Sequence, residues 1–373
     1  MIFQEKNLVR AIDAIALAGG SEPGEARLVA ENLVTANLTG HDSHGIGMIP
    51  RYVDSLIEGG LQPNRHPVVK FDGGALVALD GEAGYGQVIG MEATAIAIER
   101  AKAHGVCVMA LANSHHLCRI GQWAEQAVAE GLVSISFVNV ISRSIVAPFG
   151  GSDARFGTNP CTIGIPLAGQ APFILDMATS GVAQGKVRVA HNKGEKLPPG
   201  LLLDDKGNPT LDARFGVVEP FGALTTFGLH KGYGLAVVCE LLGGALTGGG
   251  TWHTEDRSRK RVLNGMLSIL IDPQRLHCAA VRARSGGVHR LGEEIAARAR
   301  HRPRAHRGRS RARDARQARE GRHCSGCEHL ARNPRSRREG RRQRGNPGPP
   351  RARLGGASLG GDPQPLVLRR HFQ

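Results

Sequence analysis

The chain has 373 residues, of which 41% are hydrophobic, so it can bury a large core and is not a mainly disordered protein. Its net charge of +15 is uneven: residues 1–273 hold 22 basic and 26 acidic residues, whereas residues 274–373 hold 26 arginines, no lysine and 7 acidic residues. We identify neither a signal peptide nor an apolar run of about 18 residues, and therefore expect a cytoplasmic protein.

The first sixty residues have the spacing of amphipathic helices. One apolar face is built on Leu8, Ile12, Ile15 and Ala16, and a second on Leu28, Val29, Asn32, Leu33 and Ala36. A third helix is predicted with Pro50 in its first turn, where proline is tolerated.

Short apolar runs bounded by Pro or Gly predict the next elements. In chain order we predict strands over 68–71 and 75–79, a helix over 87–104, a strand over 106–112, a helix over 121–130 and a strand over 132–138. Gly81, Gly84, Gly86 and Gly90 follow the second strand, but the last of these lies one residue too late for the G-x-G-x-x-G fingerprint. A Rossmann nucleotide site is therefore not predicted there.

From residue 150 to 220 the pattern consists of short strands, such as 161–166 and 173–176, separated by Gly, Pro and Asp turns. A long apolar helix is predicted over 229–246 and a buried strand over 265–272. Since strands and helices do not alternate steadily, a mixed or antiparallel sheet is favoured over a doubly wound one.

The densest group of reactive side chains is His41–Tyr52, which holds a carboxylate, a hydroxyl, two imidazoles and a guanidinium. An imidazole titrates near neutral pH, so His44 could donate a proton to a carbonyl oxygen, with Ser43 relaying or orienting it. Asp, Ser and Gly are also common at helix ends, and these residues alone leave a polar helix cap as an equal alternative.

Five further motifs follow in order: Asn113–His116, Ala147–Gly151, Arg155–Pro160, Leu175–Ser180 and His230–Gly234. Together with His41–Tyr52 they resemble the malate/L-lactate dehydrogenase family that lacks a Rossmann fold, most closely its hydroxycarboxylate dehydrogenase members. The resemblance extends to about Arg275. It implies an α/β fold of the α+β type, with a helical N-terminal part and a mixed or antiparallel sheet that binds the cofactor, and it implies a homodimer.

By this resemblance the protein transfers a hydride between NAD or NADP and C2 of a 2-hydroxy or 2-oxo acid, a small-molecule substrate. His44 is the proton donor, Ser43 its relay partner, and His116 reaches the same site. The family often has an arginine at the position of Met48 to bind the substrate carboxylate. We predict Arg51 as the replacement, with a solvated helix arginine as the alternative, and Thr158 and Asn159 as further donors.

The resemblance also implies the cofactor contacts, which are His44, Cys118, Arg119, Ile120, Asp176, Met177, Ala178, His230 and Lys231. Cys118 departs from the usual glycine, and its side chain could crowd the cofactor. No basic cluster marks a 2′-phosphate site, so NAD is slightly favoured over NADP.

We divide the chain into a helical and substrate part (1–115), a cofactor lobe (116–250), a return strand (251–273) and an Arg-rich tail (274–373), predicted to be disordered. Two hypotheses explain the tail. It could bind nucleic acid through phosphate contacts. Alternatively it is a frameshift in a GC-rich gene, since GC-rich codons can be chosen for residues 280–294 such that the neighbouring frame reads RFEREVEAFIDWVKK, an amphipathic sequence. A frameshift would impair the enzyme. Cys324 and Cys327 lack a second ligand pair, so no metal site is predicted.

Overall fold

The computed structural model of the protein describes residues 3–252 and 261–276. The α-helices are α1 (Glu5–Ala18), α2 (Pro23–Leu38), α3 (Ile49–Ile57), α4 (Gly86–His104), α5 (Gly121–Ala129), α6 (Gln184–Lys193) and α7 (His230–Cys239). The strands are β1 (Val68–Asp72), β2 (Leu76–Asp80), β3 (Val106–His115), β4 (Val133–Ile141), β5 (Cys161–Ile165), β6 (Phe173–Met177), β7 (Leu202–Leu203), β8 (Pro209–Thr210), β9 (Ala223–Leu224) and β10 (Leu263–Ile271). The Arg-rich tail and the Cys324–Cys327 pair lie outside the described residues.

Seven strands form one sheet in the order β1-β2-β3-β10-β4-β5-β6. β2 and β3 are parallel, and the other neighbouring strands described are antiparallel. This mixed sheet confirms the predicted α/β class and the rejection of a doubly wound fold. The centre of the sheet is β10, whose Leu263 pairs with both His115 and Ile141. One sheet therefore joins strands from all three parts into which we divide residues 1–273.

Helices α4 and α5 cover one face of this sheet and enclose its largest core. Cys107, Met109 and Leu111 alternate along β3, and all three are fully buried in that core. Gly90 of α4 lets the ring of Trp123 approach, because a Cβ at Gly90 would lie 2.5 Å from the indole. Burying a large apolar side chain contributes roughly 1.5–3 kcal/mol, so this layer holds the helices firmly against the strands.

The opposite face of the sheet packs against the end of α7. Val138 points into the α4–α5 core, so the next residue, Asn139, points to the other face. There a Cβ at Gly243 would lie 2.7 Å from the Asn139 backbone nitrogen. The single long helix predicted over 229–246 is wrong in one respect: α7 ends at Cys239, and a π-helical turn, Glu240–Ala245, continues it over the sheet. Its glycines permit that close approach.

The N-terminal helices α1–α3 form a second core around Ile12, Leu33 and Tyr52. The predicted apolar faces are confirmed except at Ile15, which is exposed. A third core contains Val187 of α6 and Leu202 of the small β8-β7-β9 sheet. The candidate site lies where α6 packs against the turn between α2 and α3.

Candidate active site

The turn that carries Ser43 and His44 consists of two short 3-10 segments, Asp42–His44 and Ile46–Met48, between α2 and α3. Asn37 holds the turn, because its side chain donates to Asp42 Oδ1 (2.6 Å) and accepts from the Ile46 backbone N–H (2.8 Å). Helix α3 has Met48 at its N-cap and no side-chain cap. No side chain of this turn therefore caps the start of α3.

His44 and His116 lie face to face, with ring centroids 5.4 Å apart and an interplanar angle of 14°. His116 directly follows β3, in a turn anchored by the Leu117 backbone N–H, which donates to Asn264 Oδ1 of β10 at 2.8 Å. Burial, followed by electrostatic repulsion from His44, His115 and Arg51, holds the pKa of His116 well below its ordinary value of 6.5. Near neutral pH the imidazole of His116 is therefore uncharged.

A buried hydrogen-bond network surrounds Nδ1 of His116. The Tyr52 hydroxyl lies 2.9 Å from His116 Nδ1 and accepts from Gln87 Nε2 at 3.2 Å. It also lies 3.4 Å from the sulfur of Cys118, but the nearer imidazole nitrogen is the stronger acceptor. Burial raises the pKa of Tyr52 well above 10, so the phenol keeps its proton. We assign this proton to the contact with Nδ1, an assignment that places the ring proton of His116 on Nε2.

Cys118 has φ +59°, the left-handed conformation that favours glycine. Its Cβ does not point outward, since the side chain is buried and its thiol donates to the His116 carbonyl oxygen at 3.4 Å. Burial raises the pKa of this thiol to about 12. The sulfur that we expected to crowd a cofactor thus packs into the interior beneath Tyr52.

Three arginines from different parts of the fold repel the imidazole of His116 or one another electrostatically. Arg51 lies on α3, Arg143 follows β4 and Arg188 lies on α6. Within the described residues none forms an ion pair, and Arg143 instead stacks on the Phe221 ring at 3.6 Å. Burial, followed by repulsion from Arg188, lowers the pKa of Arg51. The surroundings of the site are therefore positive and suited to an anion.

The residues predicted to bind the cofactor fall into two groups. Arg119 and Asp176 are neighbours, with Nη1 4.0 Å from Oδ2, and the Gly121 backbone N–H donates to the same carboxylate at 3.2 Å. His230 and Lys231 lie in the first turn of α7, both exposed. Ile120 belongs to the α4–α5 core, so only its backbone can meet a ligand. Met177 ends β6 and Ala178 follows it, and both residues are half-buried. The remaining two members of the set, His44 and Cys118, lie at the imidazole pair described above.

Asn159 is fully buried, and its side-chain groups bond within the protein. Its amide donates to Glu240 Oε2 (2.6 Å) and to the Ala236 carbonyl (3.1 Å), and its oxygen accepts from the Val140 N–H (3.1 Å). We predicted that the amide of Asn159 donates to the substrate. Both of its hydrogens instead join this segment to α7 and to the π-helical turn that follows α7. Thr158, beside it, is half-buried and anchors Thr179 through its carbonyl oxygen.

The glycines between β2 and α4 have a steric explanation. A Cβ on Gly86 would lie 2.1 Å from the His116 carbonyl oxygen, and one on Gly81 would lie 2.9 Å from Ser114. They allow the start of α4 to approach the turn that carries His116, which agrees with the absence of a Rossmann fingerprint in the sequence.

The sequence model described as malate/L-lactate dehydrogenase matches residues 3–324. The chain belongs to the malate/L-lactate dehydrogenase family. The match continues beyond Arg275, where we placed the end of the resemblance. Within the two described ranges, 3–252 and 261–276, no helix is long and apolar enough to cross a membrane.

Two curated relatives and one solved structure agree with this assignment. Hydroxycarboxylate dehydrogenase B of Escherichia coli (strain K12) is 50% identical over 274 residues, 73% of this chain and 76% of the relative. L-lactate dehydrogenase of Cupriavidus necator is 42% identical over 247 residues, 66% of this chain and 71% of the relative. A solved E. coli structure described as of malate/lactate dehydrogenase type has a TM-score of 0.79 and 44% identity, covering 86% of this chain and 88% of its own. The chain is thus an oxidoreductase of this family, which implies a nicotinamide cofactor.

Three residues near His44 and His116 were not predicted from the sequence as site residues: Tyr52, Gln87 and Arg188. Tyr52 ends the motif that contains His44, and its place in that motif was the one available signal. Gln87 and Arg188 lie on helices whose proximity to His44 no local pattern indicates.

Proposed function

We propose that the protein is a NAD(P)-dependent dehydrogenase of 2-hydroxycarboxylic acids, acting between nicotinamide and C2 of a 2-hydroxy or 2-oxo acid. The observation that carries this proposal is the stacked His44–His116 pair, whose surroundings keep the His116 ring neutral beside arginines that form no ion pair within the described residues. The two relatives support the substrate class, because their names refer to hydroxycarboxylate and to lactate.

In the direction of reduction, C2 of the 2-oxo acid accepts the hydride that a bound nicotinamide supplies, and its oxygen needs one proton. His44 gives that proton, and Ser43 beside it orients the imidazole. His116 stays neutral and donates a hydrogen bond from Nε2 to the same oxygen, since Tyr52 occupies Nδ1. His44 is half-buried, so it can take up a new proton from solvent.

Arg51 binds the substrate carboxylate through two parallel N–H donors, the geometry that a guanidinium offers to a carboxylate. Its pKa is lowered by burial and by Arg188, yet it stays charged, because a guanidinium does not deprotonate in proteins. Thr158 contributes a hydroxyl, while Asn159 supports it by holding the loop to α7.

The chemistry of the donor set fits a nicotinamide cofactor. Asp176, placed beside Arg119 and the Gly121 N–H, offers a carboxylate to a ribose or carboxamide. His230 and Lys231 in the first turn of α7 offer cations to a diphosphate, where a helix N-terminus also favours anions. The backbone at Cys118 and Ile120, and Met177 with Ala178, complete the contacts. NAD is favoured over NADP.

We further propose that residues 1–273 form the catalytic region, that the enzyme is a cytoplasmic homodimer, and that the tail after residue 273 arises from a frameshift. The resemblance supports the dimer, and the change in composition supports the frameshift. Light scattering on the purified chain tests the dimer, and resequencing of the gene tests the frameshift. No observation on the described residues favours nucleic-acid binding.

The activity is tested by following NADH and NADPH oxidation at 340 nm with a panel of 2-oxo acids. We expect oxidation that depends on the acid, with a larger kcat/KM for NADH. Failure of both cofactors across the panel, and in reverse with the 2-hydroxy acids, would refute the proposal. A preference for NADPH would refute the cofactor choice alone.

A further inference from the structure

Helix α6 presses its first turn against the turn that carries His44. A Cβ on Gly185 would lie 2.5 Å from the Cβ of Ser43, so only glycine allows the helix to sit there. Arg188 is three residues further along, on the same face of the helix. Its Nη2 lies 3.1 Å from the point that a Cβ on Gly47 would occupy. The guanidinium of Arg188 therefore lies against the backbone next to Met48.

Arg188 forms no ion pair in the described part of the chain. Its Nε is buried without a hydrogen bond. Burial lowers its pKa, and it is close enough to Arg51 to repel it. Holding two guanidinium groups close together is unfavourable. A bound anion between them would remove both the repulsion and the unsatisfied donor.

Met48 itself is buried and carries no charge, so the turn supplies no cation at that position. Arg188, which lies 140 residues further along the chain, brings a cation to the neighbouring residue of the same turn, Gly47. We propose that Arg188 is a substrate-binding residue, which together with Arg51 grips the C1 carboxylate of a 2-oxo acid. This inference rests on the proposed function, since it names the residue that holds the substrate in the same site.

The pairing has a consequence for selectivity. Because both guanidinium groups bind the carboxylate that every 2-oxo acid shares, the loss of Arg188 weakens binding of monocarboxylic and dicarboxylic substrates by a similar factor. If Arg188 instead bound a side-chain carboxylate, only dicarboxylic substrates such as oxaloacetate would be affected.

The test uses Arg188→Met in the full chain, with Lys193→Met as the matched control, since Lys193 is an exposed cation on the same helix. Calorimetry measures the binding of oxamate, an unreactive isostere of pyruvate, to the NADH-loaded protein. We expect Arg188→Met to raise the Kd for oxamate, and the KM for pyruvate and oxaloacetate, about 10- to 100-fold, which is the range for a lost charge-assisted hydrogen bond. The Kd for NADH should change less than twofold. Lys193→Met should behave as wild type.

One more variant protects the test from a folding artefact. Arg188→Lys keeps the charge but loses the fork, so it should bind oxamate with intermediate affinity.

The outcomes separate the two proposals. If the wild type binds NADH and turns over 2-oxo acids, but Arg188→Met binds oxamate as tightly as Lys193→Met, the role of Arg188 is wrong and the proposed function stands. A loss confined to oxaloacetate overturns the C1 assignment. A wild type that neither binds NADH nor reduces any 2-oxo acid overturns both.

Discussion

Replacing Tyr52 by phenylalanine removes one oxygen from the interior and disturbs the proton position on His116. The hydroxyl joins Gln87 Nε2 at 3.2 Å to His116 Nδ1 at 2.9 Å, so its loss leaves a buried donor and a buried acceptor unsatisfied. A buried group left without its partner costs about 1–3 kcal/mol, and we expect the free energy of unfolding to fall by that amount. Without this hydrogen bond His116 is free to carry its proton on Nδ1. Losing about 1.4 kcal/mol of preference for the productive tautomer shifts the ratio of the two tautomers about tenfold. Since kcat follows the fraction of the productive tautomer, it should fall by about twofold to tenfold.

Nitrogen-15 NMR of histidine-labelled protein measures the tautomer directly, and steady-state kinetics measures kcat. Tyr85→Phe is the matched control, because Tyr85 is equally buried, lies edge-on to Tyr52 at 5.9 Å, and has its pKa raised to about 12 by burial, with Ser21 rather than an imidazole beside its hydroxyl. It should lose stability but keep kcat and the tautomer. Should Tyr52→Phe retain an Nε2-protonated His116 and the wild-type kcat, the network has no role in positioning the imidazole.

Three other predictions follow from the same description. His44→Ala or His116→Ala should lower kcat by roughly two to four orders of magnitude while NADH still binds in fluorescence titrations; wild-type turnover in both variants would show that the site is misassigned. Burial, followed by Arg51, lowers the pKa of His115 to about 3, so between about pH 6.5 and pH 3 the unfolded chain binds a proton that the folded chain excludes. The free energy of unfolding therefore decreases as the pH is lowered through that window, by up to about 1.4 kcal/mol per pH unit. Urea unfolding at pH 7 and at pH 5 should show that His115→Leu loses less of this free energy between the two pH values than the wild type does. An equal acid sensitivity would contradict this. Finally, a gene restored to the alternative frame after Arg275 should yield a protein that melts at a higher temperature and is more active than the chain of 373 residues; an unbroken frame on resequencing, with a fully active product, would show that the tail is genuine.

Local pattern was enough to predict the strands of the large sheet but not their arrangement, and it missed α6, because residues 150–220 were predicted to hold only short strands and turns. The apolar run over 106–112 predicted β3, and its boundaries were missed only at the end, where the strand continues to His115. Nothing in the sequence placed β10 between β3 and β4. Strand order depends on which edges meet, and that is decided by the packing of α4, α5 and the π-helical turn rather than by any one strand.

The candidate site shows the same limit. The motif that contains His44 was visible because its residues are adjacent in the chain. Arg188 was not, because its distance to Gly47 exists only after α6 has docked on the turn. Asn159 shows the converse, since an amide in a recognised motif is used to hold α7 and has no donor left for the substrate.

The central position of β10 sets the order of events during synthesis. Leu263 of β10 pairs with His115 of β3 and Ile141 of β4. More than a hundred further residues must therefore be synthesised before the facing edges of β3 and β4 are covered. Contacts so distant in sequence slow folding, because a long loop must close before they form. Until the ribosome has released β10, the nascent chain presents two unpaired edges, rich in apolar side chains, that can pair with other chains. We therefore expect its yield to depend on chaperones that bind nascent chains, and to rise when translation is slowed by cold.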